Sequence, residues 1–274
     1  MVPRLEASWG NVPRCGMHVV VCVKQIPDPA EPGKLEGDLT LDRSGKLILD
    51  ESDSYGVEMA LQLVDKAGGG EVTLVSMAPN NENSGLRTAL AMGAAKAILI
   101  SDPLLSGAGA LDTAKVLAAA IKSAEPDLVL TATESSDGYT GTVPEQIAAL
   151  LGLPSITFAK EVHIDGPTVN VRRQTEDGYD EVTCSLPAVV SVTAGVVEPR
   201  YPSFKGIMAA KSKPVEEQTV VGLGLDPARV GVAGAGQEIV AVEDAPVREA
   251  GEIIVDDGEA FTNIVSFLDG LKLI

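Results

Sequence analysis

Residues Asp127–Thr157 read DLVLTATESSDGYTGTVPEQIAALLGLPSIT. Asp127–Ala132 is a continuous apolar run bounded by polar residues, the pattern of a short strand buried on both faces of a parallel sheet. Val143–Gly152 has helical spacing, with Ile147, Leu150 and Leu151 on one face and Gly152 placed to end it. Thr142 and Glu145 stand at capping-box spacing, and Pro144 costs no hydrogen bond in a first turn. Between strand and helix runs TESSDGYTG, residues 133–141, polar and glycine-bearing. A strand delivering such a loop to a helix N-terminus offers free N–H groups and the positive end of the helix dipole, which suits a phosphate. The same features describe an ordinary βα connection capped for stability. The local sequence leaves both readings open.

The flanking chain repeats the unit. His18–Lys24 is a β-branched run expected as a central strand. Gln25–Gly33 carries three prolines and is expected to form no regular structure. Leu39–Leu49 alternates around Ser44-Gly45 and predicts a hairpin. Ser52–Lys66 predicts a helix with Val57, Ala60, Leu61 and Val64 inward, ended by Gly68–Gly70. Glu71–Met77, Ser84–Met92, Lys96–Ser101 and Leu111–Ser123 continue as strand, helix, strand and helix, the last with Val116, Leu117, Ala120 and Ile121 inward. Such alternation predicts an α/β fold, a parallel Rossmann-like sheet covered on both faces. Ligands of such sheets lie at the carboxyl ends of the strands, beside a switch in strand order. The ends of the first and second strands (Cys22–Lys24, Met77–Pro79) and the 133–141 loop form the expected rim. After Ser155 the pattern changes: Lys160–Ile164, Thr168–Arg173 and Tyr179–Ser185 predict antiparallel strands, and Ala188–Thr193 another buried strand. Beyond Lys213 the rhythm fades until an amphipathic helix at Phe261–Leu271. The tail is expected to be either a linker or an arm that packs on something else.

With 274 residues, 45% apolar and 3% aromatic, the chain suits an aliphatic α/β core. A net charge of −18 argues against nucleic acid or an anionic membrane as partner. No apolar run reaches the ~18–20 residues of a membrane span, so the chain is expected to be soluble. Three widely spaced cysteines fit a reducing, cytoplasmic setting and give no metal pair. His18 and His163 are expected as partly buried strand residues, and no metal site is expected. Residues 1–16 lack periodicity and a signal-peptide apolar region, and are expected to be an extension or a non-native start.

The common catalytic signatures, GxxxxGK[ST], GxSxG and HExxH among them, are missing from the sequence. Asp50, Glu51 and Asp53 precede the first helix, where N-capping accounts for them. Asp137 suits either bracing its loop or binding a ribose. What remains is a nucleotide-shaped site without reaction machinery.

Taken together, VKQIP (23–27), the Asp50–Ala60 segment with its GVExA, RTALAMGA (87–94), SSDG (135–138) with Gly141 and Pro144, LGLP (151–154) and EPRYPSFKGIMAAK (198–211) resemble the β subunit of electron transfer flavoproteins. The resemblance implies a heterodimer with an α subunit that holds most of the FAD site. It also implies a structural AMP in the β subunit, replaced in some relatives by a second FAD. By position, AMP would touch Cys22, Val23 and Lys24, Asp50 and Asp53, Met77, and Ala132, Thr133, Glu134 and Asp137. The amides of Gly138, Gly141, Thr142 and Val143 would hold its phosphate. Ala194, Gly195, Val196, Val197, Glu198, Pro199, Arg200 and Tyr201 would form the loop that recognises partner dehydrogenases, with Val196 as its apolar tip and Glu198, Arg200 and Tyr201 fixing its base. The implied role is electron carriage, without catalysis by this chain, from flavin dehydrogenases such as those of fatty acid oxidation to a quinone oxidoreductase. Residues 17–221 would be the β domain and 222–274 an arm on the α subunit. An adenine-nucleotide enzyme on a related fold competes with this reading, as does a stress-type nucleotide sensor. The enzyme would need a glycine phosphate loop where Gln25–Pro29 stands, and its prolines remove the required amides.

Overall fold

The computed structural model describes residues 16–236, 238–243, 246, 251, 253–256 and 258–274. Of the expected extension, residues 1–15 lie outside them. The chain forms two compact units, one running to Ile239 and one from Val240 to Ile274.

The first unit is a mixed α/β fold around a nine-stranded sheet. In chain order its elements are β1 (Met17–Cys22), β2 (Gln25–Pro27), β3 (Leu47–Leu49), α1 (Glu51–Lys66), β4 (Gly70–Ala78), α2 (Ser84–Met92), β5 (Lys96–Ser101), α3 (Ala110–Ala124), β6 (Leu128–Ala132), α4 (Val143–Leu151), β7 (Ser155–Asp165), β8 (Thr168–Gln174), β9 (Tyr179–Ser185), β10 (Ala188–Val192), α5 (Phe204–Ala210), β11 (Val215–Gln218) and α6 (Gly231–Gly234). The strand order is β11-β5-β4-β1-β6-β10-β7-β8-β9. All contacts from β11 to β7 are parallel, and β7–β8–β9 continue as an antiparallel ribbon. Every residue of β1, β6 and β10 is buried, because helices cover both faces of the sheet. Val19 and Val21 face the layer of α1, α2 and α5, with Val57, Leu63, Leu86, Leu90 and Ala210. Val20 and Cys22 face α3 and α4, with Val116, Ile121, Ile147 and Leu151. The chain runs from β1 outward through β4 to β5, then crosses to lay β6 on the other side of β1. That switch opens a crevice at the carboxyl ends of β1 and β6.

The inward stripes of the helices are observed as expected, and Gly152 ends α4 in the left-handed region at φ +69. Four local expectations need correction. Gln25–Pro27, expected to be irregular, is a strand: it pairs antiparallel with Leu47–Leu49, where Pro27 stands at the strand's end. The hairpin expected over Leu39–Leu49 does not form, since Leu47–Leu49 takes that distant partner and only a bridge, Leu35 to Leu41, remains. The strand expected at Lys160 begins at Ser155, pairs parallel with β10, passes a bulge, and only then enters the ribbon. Thr142 makes no side-chain cap on α4. Of the two histidines, His18 is buried against Thr73 Oγ1 at 2.9 Å, whereas His163 is exposed on the ribbon.

The region after Lys213 is more attached than its sequence rhythm suggests. Val215–Gln218 adds β11 to the edge strand β5, and Val220 and Val230 are buried in the α3–α4 layer. Val232 N–H donates to Ser106 O at 3.2 Å. The second unit contains α7 (Ala260–Gly270), whose Phe261, Ile264, Val265 and Phe267 are exposed. No helix among the described residues is long and apolar enough to cross a membrane.

Candidate functional site

Lys24 follows β1 directly and lies at the crossing of three segments. Its backbone N–H donates to Asp53 Oδ2 at 2.6 Å, and its carbonyl accepts from Asp50 N–H at 3.0 Å. Its ammonium reaches the loop after β6, at 2.6 Å from Asp137 Oδ1 and 3.2 Å from Ser135 Oγ. The neighbouring Gln25 turns the other way: its Oε1 accepts from Gly85 N–H at 2.9 Å and so caps α2.

Asp50 caps α1 as expected, accepting Ser52 N–H on Oδ1 at 3.1 Å. Its second oxygen accepts both the N–H and the hydroxyl of Ser136, at 2.7 and 3.0 Å. One fully buried carboxylate therefore ties the head of α1 to the loop after β6. Capping does not account for Asp53, because its acceptor is taken by the Lys24 amide. Burial lifts the Asp53 pKa well above the ordinary carboxylate value, and the nearby Asp50 and Asp137 add to the lift. Burial likewise pushes the Cys22 thiol up to about 12, with Asp53 contributing, so Cys22 stays protonated. Asp137 behaves oppositely. Burial alone would raise its pKa, but Lys24 and Arg43 overcome that and hold it below the ordinary value. Both its oxygens are engaged, one by Lys24 and the other by Arg43 Nη2. Such engagement is the bracing role foreseen from sequence as one of two.

Ala132 ends β6, and Thr133 Oγ1 donates to Val192 O at 3.1 Å. Met77 is half-buried near the end of β4, and Val23 N–H donates to Val75 O at 2.9 Å. Glu134 and Gly138 are exposed. Gly141 stands at φ +60, where a Cβ would lie 3.4 Å from Glu134 Oε2, so the turn needs glycine for its backbone rather than for space. Thr142 and Val143 open α4, and the first-turn amides have no side-chain partner. Uncapped amides, the positive helix end, a glycine turn and the Lys24 ammonium form a donor set that fits a phosphate monoester. Among the described residues no group of His, Cys, Asp and Glu is arranged to hold a metal ion.

The Ala194–Tyr201 loop follows β10 on the same edge. Ala194 and Gly195 are its exposed crest, and Lys160 Nζ holds it by donating to Ala194 O at 2.6 Å. Val196 and Val197 are half-buried and pack against the α1–α2 layer, Pro199 is half-buried, and Glu198 is exposed. Arg200 anchors the base: its Nε and Nη2 donate to Glu58 of α1 at 2.6 and 3.1 Å. Burial would raise the Glu58 pKa, but the hydrogen bonds from Arg200 and Gln62 prevail and lower it. Tyr201, expected to help fix the base, instead stands 93% exposed beside Phe204 at 81%. Arg43 and Glu58 are not marked as site residues by the sequence. Glu58 lies in the GVExA pattern, whereas nothing local marks Arg43.

A family model described as the electron transfer flavoprotein domain matches residues 38–222. The chain is 40% identical over 264 residues to the electron transfer flavoprotein subunit beta of Mycobacterium tuberculosis, covering 94% of this chain and 99% of that one. Identity to the subunit of that name from Thermoanaerobacterium thermosaccharolyticum is 35% over 261 residues, covering 94% and 100%. A caffeyl-CoA reductase-Etf complex subunit, CarD of Acetobacterium woodii, is 35% identical over 240 residues, covering 87% and 92%. A parallel sheet whose switch point carries this polar clamp, matched along nearly the whole length of such relatives, places the chain in the electron transfer flavoprotein family as a beta subunit.

Proposed function

We propose that this chain pairs with an α subunit to carry electrons from flavin dehydrogenases, such as acyl-CoA dehydrogenases, to a quinone oxidoreductase in the cytoplasm. The α subunit holds most of an FAD that supplies the redox chemistry, and this chain performs no bond-making step. Its crevice holds AMP as a structural ligand. The Lys24 ammonium and the amides at Gly138, Gly141, Thr142 and Val143 take the phosphate, while Cys22, Val23 and Met77 line the sheet side. The Ala194–Tyr201 loop is the dehydrogenase contact, and residues 222–274, with the exposed apolar face of α7, reach the α subunit. The observation that carries the AMP reading is Lys24, held by Asp53 and Asp137 against the loop that leads into α4, whose first turn no side chain caps.

Co-expression with the α partner tests it. The purified pair is expected to be yellow, and acid release should yield AMP and FAD in equal amounts. Two FAD per pair and no AMP would replace AMP by a second flavin. A colourless monomer that hydrolyses ATP would sink the electron-carrier reading.

A further inference from the structure

We infer that Arg43 is a positioning residue of the crevice, strapping the outer loop to the Asp137 carboxylate and thereby setting how fast a bound adenine nucleotide leaves. The inference rests on the nucleotide reading above. Segment 28–45 closes on itself: Glu36 N–H donates to Thr40 O, Leu39 N–H to Glu36 O and Asp42 N–H to Lys34 O, at 2.8, 3.0 and 2.9 Å. Among the described residues, Arg43 supplies every hydrogen bond from this segment to the loop after β6. Its Nη2 donates to Asp137 Oδ2, and its Nη1 donates to Gln25 O at 3.2 Å. One guanidinium thus spans β2 and the loop that would hold the phosphate.

An incidental surface ion pair contributes little, but this pair is not of that kind. The Asp137 side chain is 7% exposed and that of Arg43 29%. Removing Arg43 leaves a buried carboxylate with Lys24 alone, so the ammonium, already 2.6 Å from Asp137 Oδ1, must neutralise it unaided and is less available to a ligand. Without Arg43 the nucleotide is therefore held less well.

The test uses the co-expressed pair, loaded with labelled AMP and chased with unlabelled AMP. Arg43→Ala is expected to release AMP about tenfold faster than wild type, a difference of ~1.4 kcal/mol. Arg43→Lys, which keeps the charge but loses the two-pronged reach, should fall between them. The flavin spectrum should not change, and on an Asp137→Asn background Arg43→Ala should add little. Unchanged release in Arg43→Ala, or full additivity with Asp137→Asn, overturns the inference. Wild type that neither releases AMP in acid nor takes up labelled AMP overturns the nucleotide reading and this inference with it, and that arm is read first. Should Arg43→Ala fail to assemble, unaltered release from Arg43→Lys overturns the strap.

Discussion

The crevice beside β1 and the Ala194–Tyr201 loop both depend on charged side chains, but those charges are placed differently. Buried carboxylates serve both, but in the crevice several lie together and tie separate segments to one another. Asp50 holds the head of α1 to Ser136, and Asp137 holds both Lys24 and Arg43. In the loop, one pair at the base, Arg200 with Glu58, anchors a crest that stands in solvent. A buried polar network is costly to break because its surviving members are left unpaired. A loop pinned at its base can change its crest without disturbing its support. The first arrangement suits a ligand held permanently, the second a partner met briefly.

The contrast can be broken most forcefully at Asp50. Asp50→Ala removes the α1 cap and strands the Ser136 donors, and should cost about 3 kcal/mol in urea unfolding. A loss under about 1 kcal/mol would mean that the crevice network holds little of the fold. Arg200→Ala leaves Glu58 buried without its partner. Because the Arg200 side chain is 42% exposed, water screens the pair and the expected loss is about 2 kcal/mol rather than a fully buried pair's cost.

The pH dependence of that loss sharpens the point. Glu58 has a lowered pKa in the fold, so between its folded and unfolded values the unfolded chain binds the extra proton. The pair's contribution is complete above the ordinary glutamate value and disappears as pH falls through the folded one. The gap between wild type and Arg200→Ala should close in acid, and a gap independent of pH would count against the ion pair.

Asp53 has the opposite sign. Its raised pKa means that the native state holds the proton longer, so stability falls as pH rises above the ordinary carboxylate value and the full cost is in place once pH passes the folded one. Asp53→Asn keeps an acceptor for the Lys24 amide. It should stabilise the protein by about 1 kcal/mol at pH 8, with the gain fading toward acid. Destabilisation at pH 8 would show that the charge itself is needed. The smallest effect on the fold belongs to the crest: Ala194→Glu should change stability by less than about 0.5 kcal/mol while slowing reduction of the assembled pair by a flavin dehydrogenase. Unaltered reduction would place the partner contact elsewhere.

Much of this was legible from residues near each other in the chain. The strand–loop–helix unit of Asp127–Thr157, the inward stripes of α1, α3 and α4, and the rim of the crevice all follow from periods of two and 3.6 residues and from turn chemistry. The capping box at Thr142 had the right spacing but did not form. Spacing permits that hydrogen bond without requiring it. The family resemblance implies that Val196 is the loop's apolar tip, and in the structure its side chain is half-buried against the core.

By itself, the sequence determined the alternating elements, their buried faces and the glycine turn at Gly141, because each depends on interactions within a few residues. Only the tertiary structure decided that Leu47–Leu49 pairs with Gln25–Pro27 and that Val215–Gln218 extends the sheet. It also decided that Arg43 meets Asp137 across 94 positions and Arg200 meets Glu58 across 142. Strand pairing and ion pairing act through space, so a charged residue carries no local mark of which distant opposite charge the fold will bring to it.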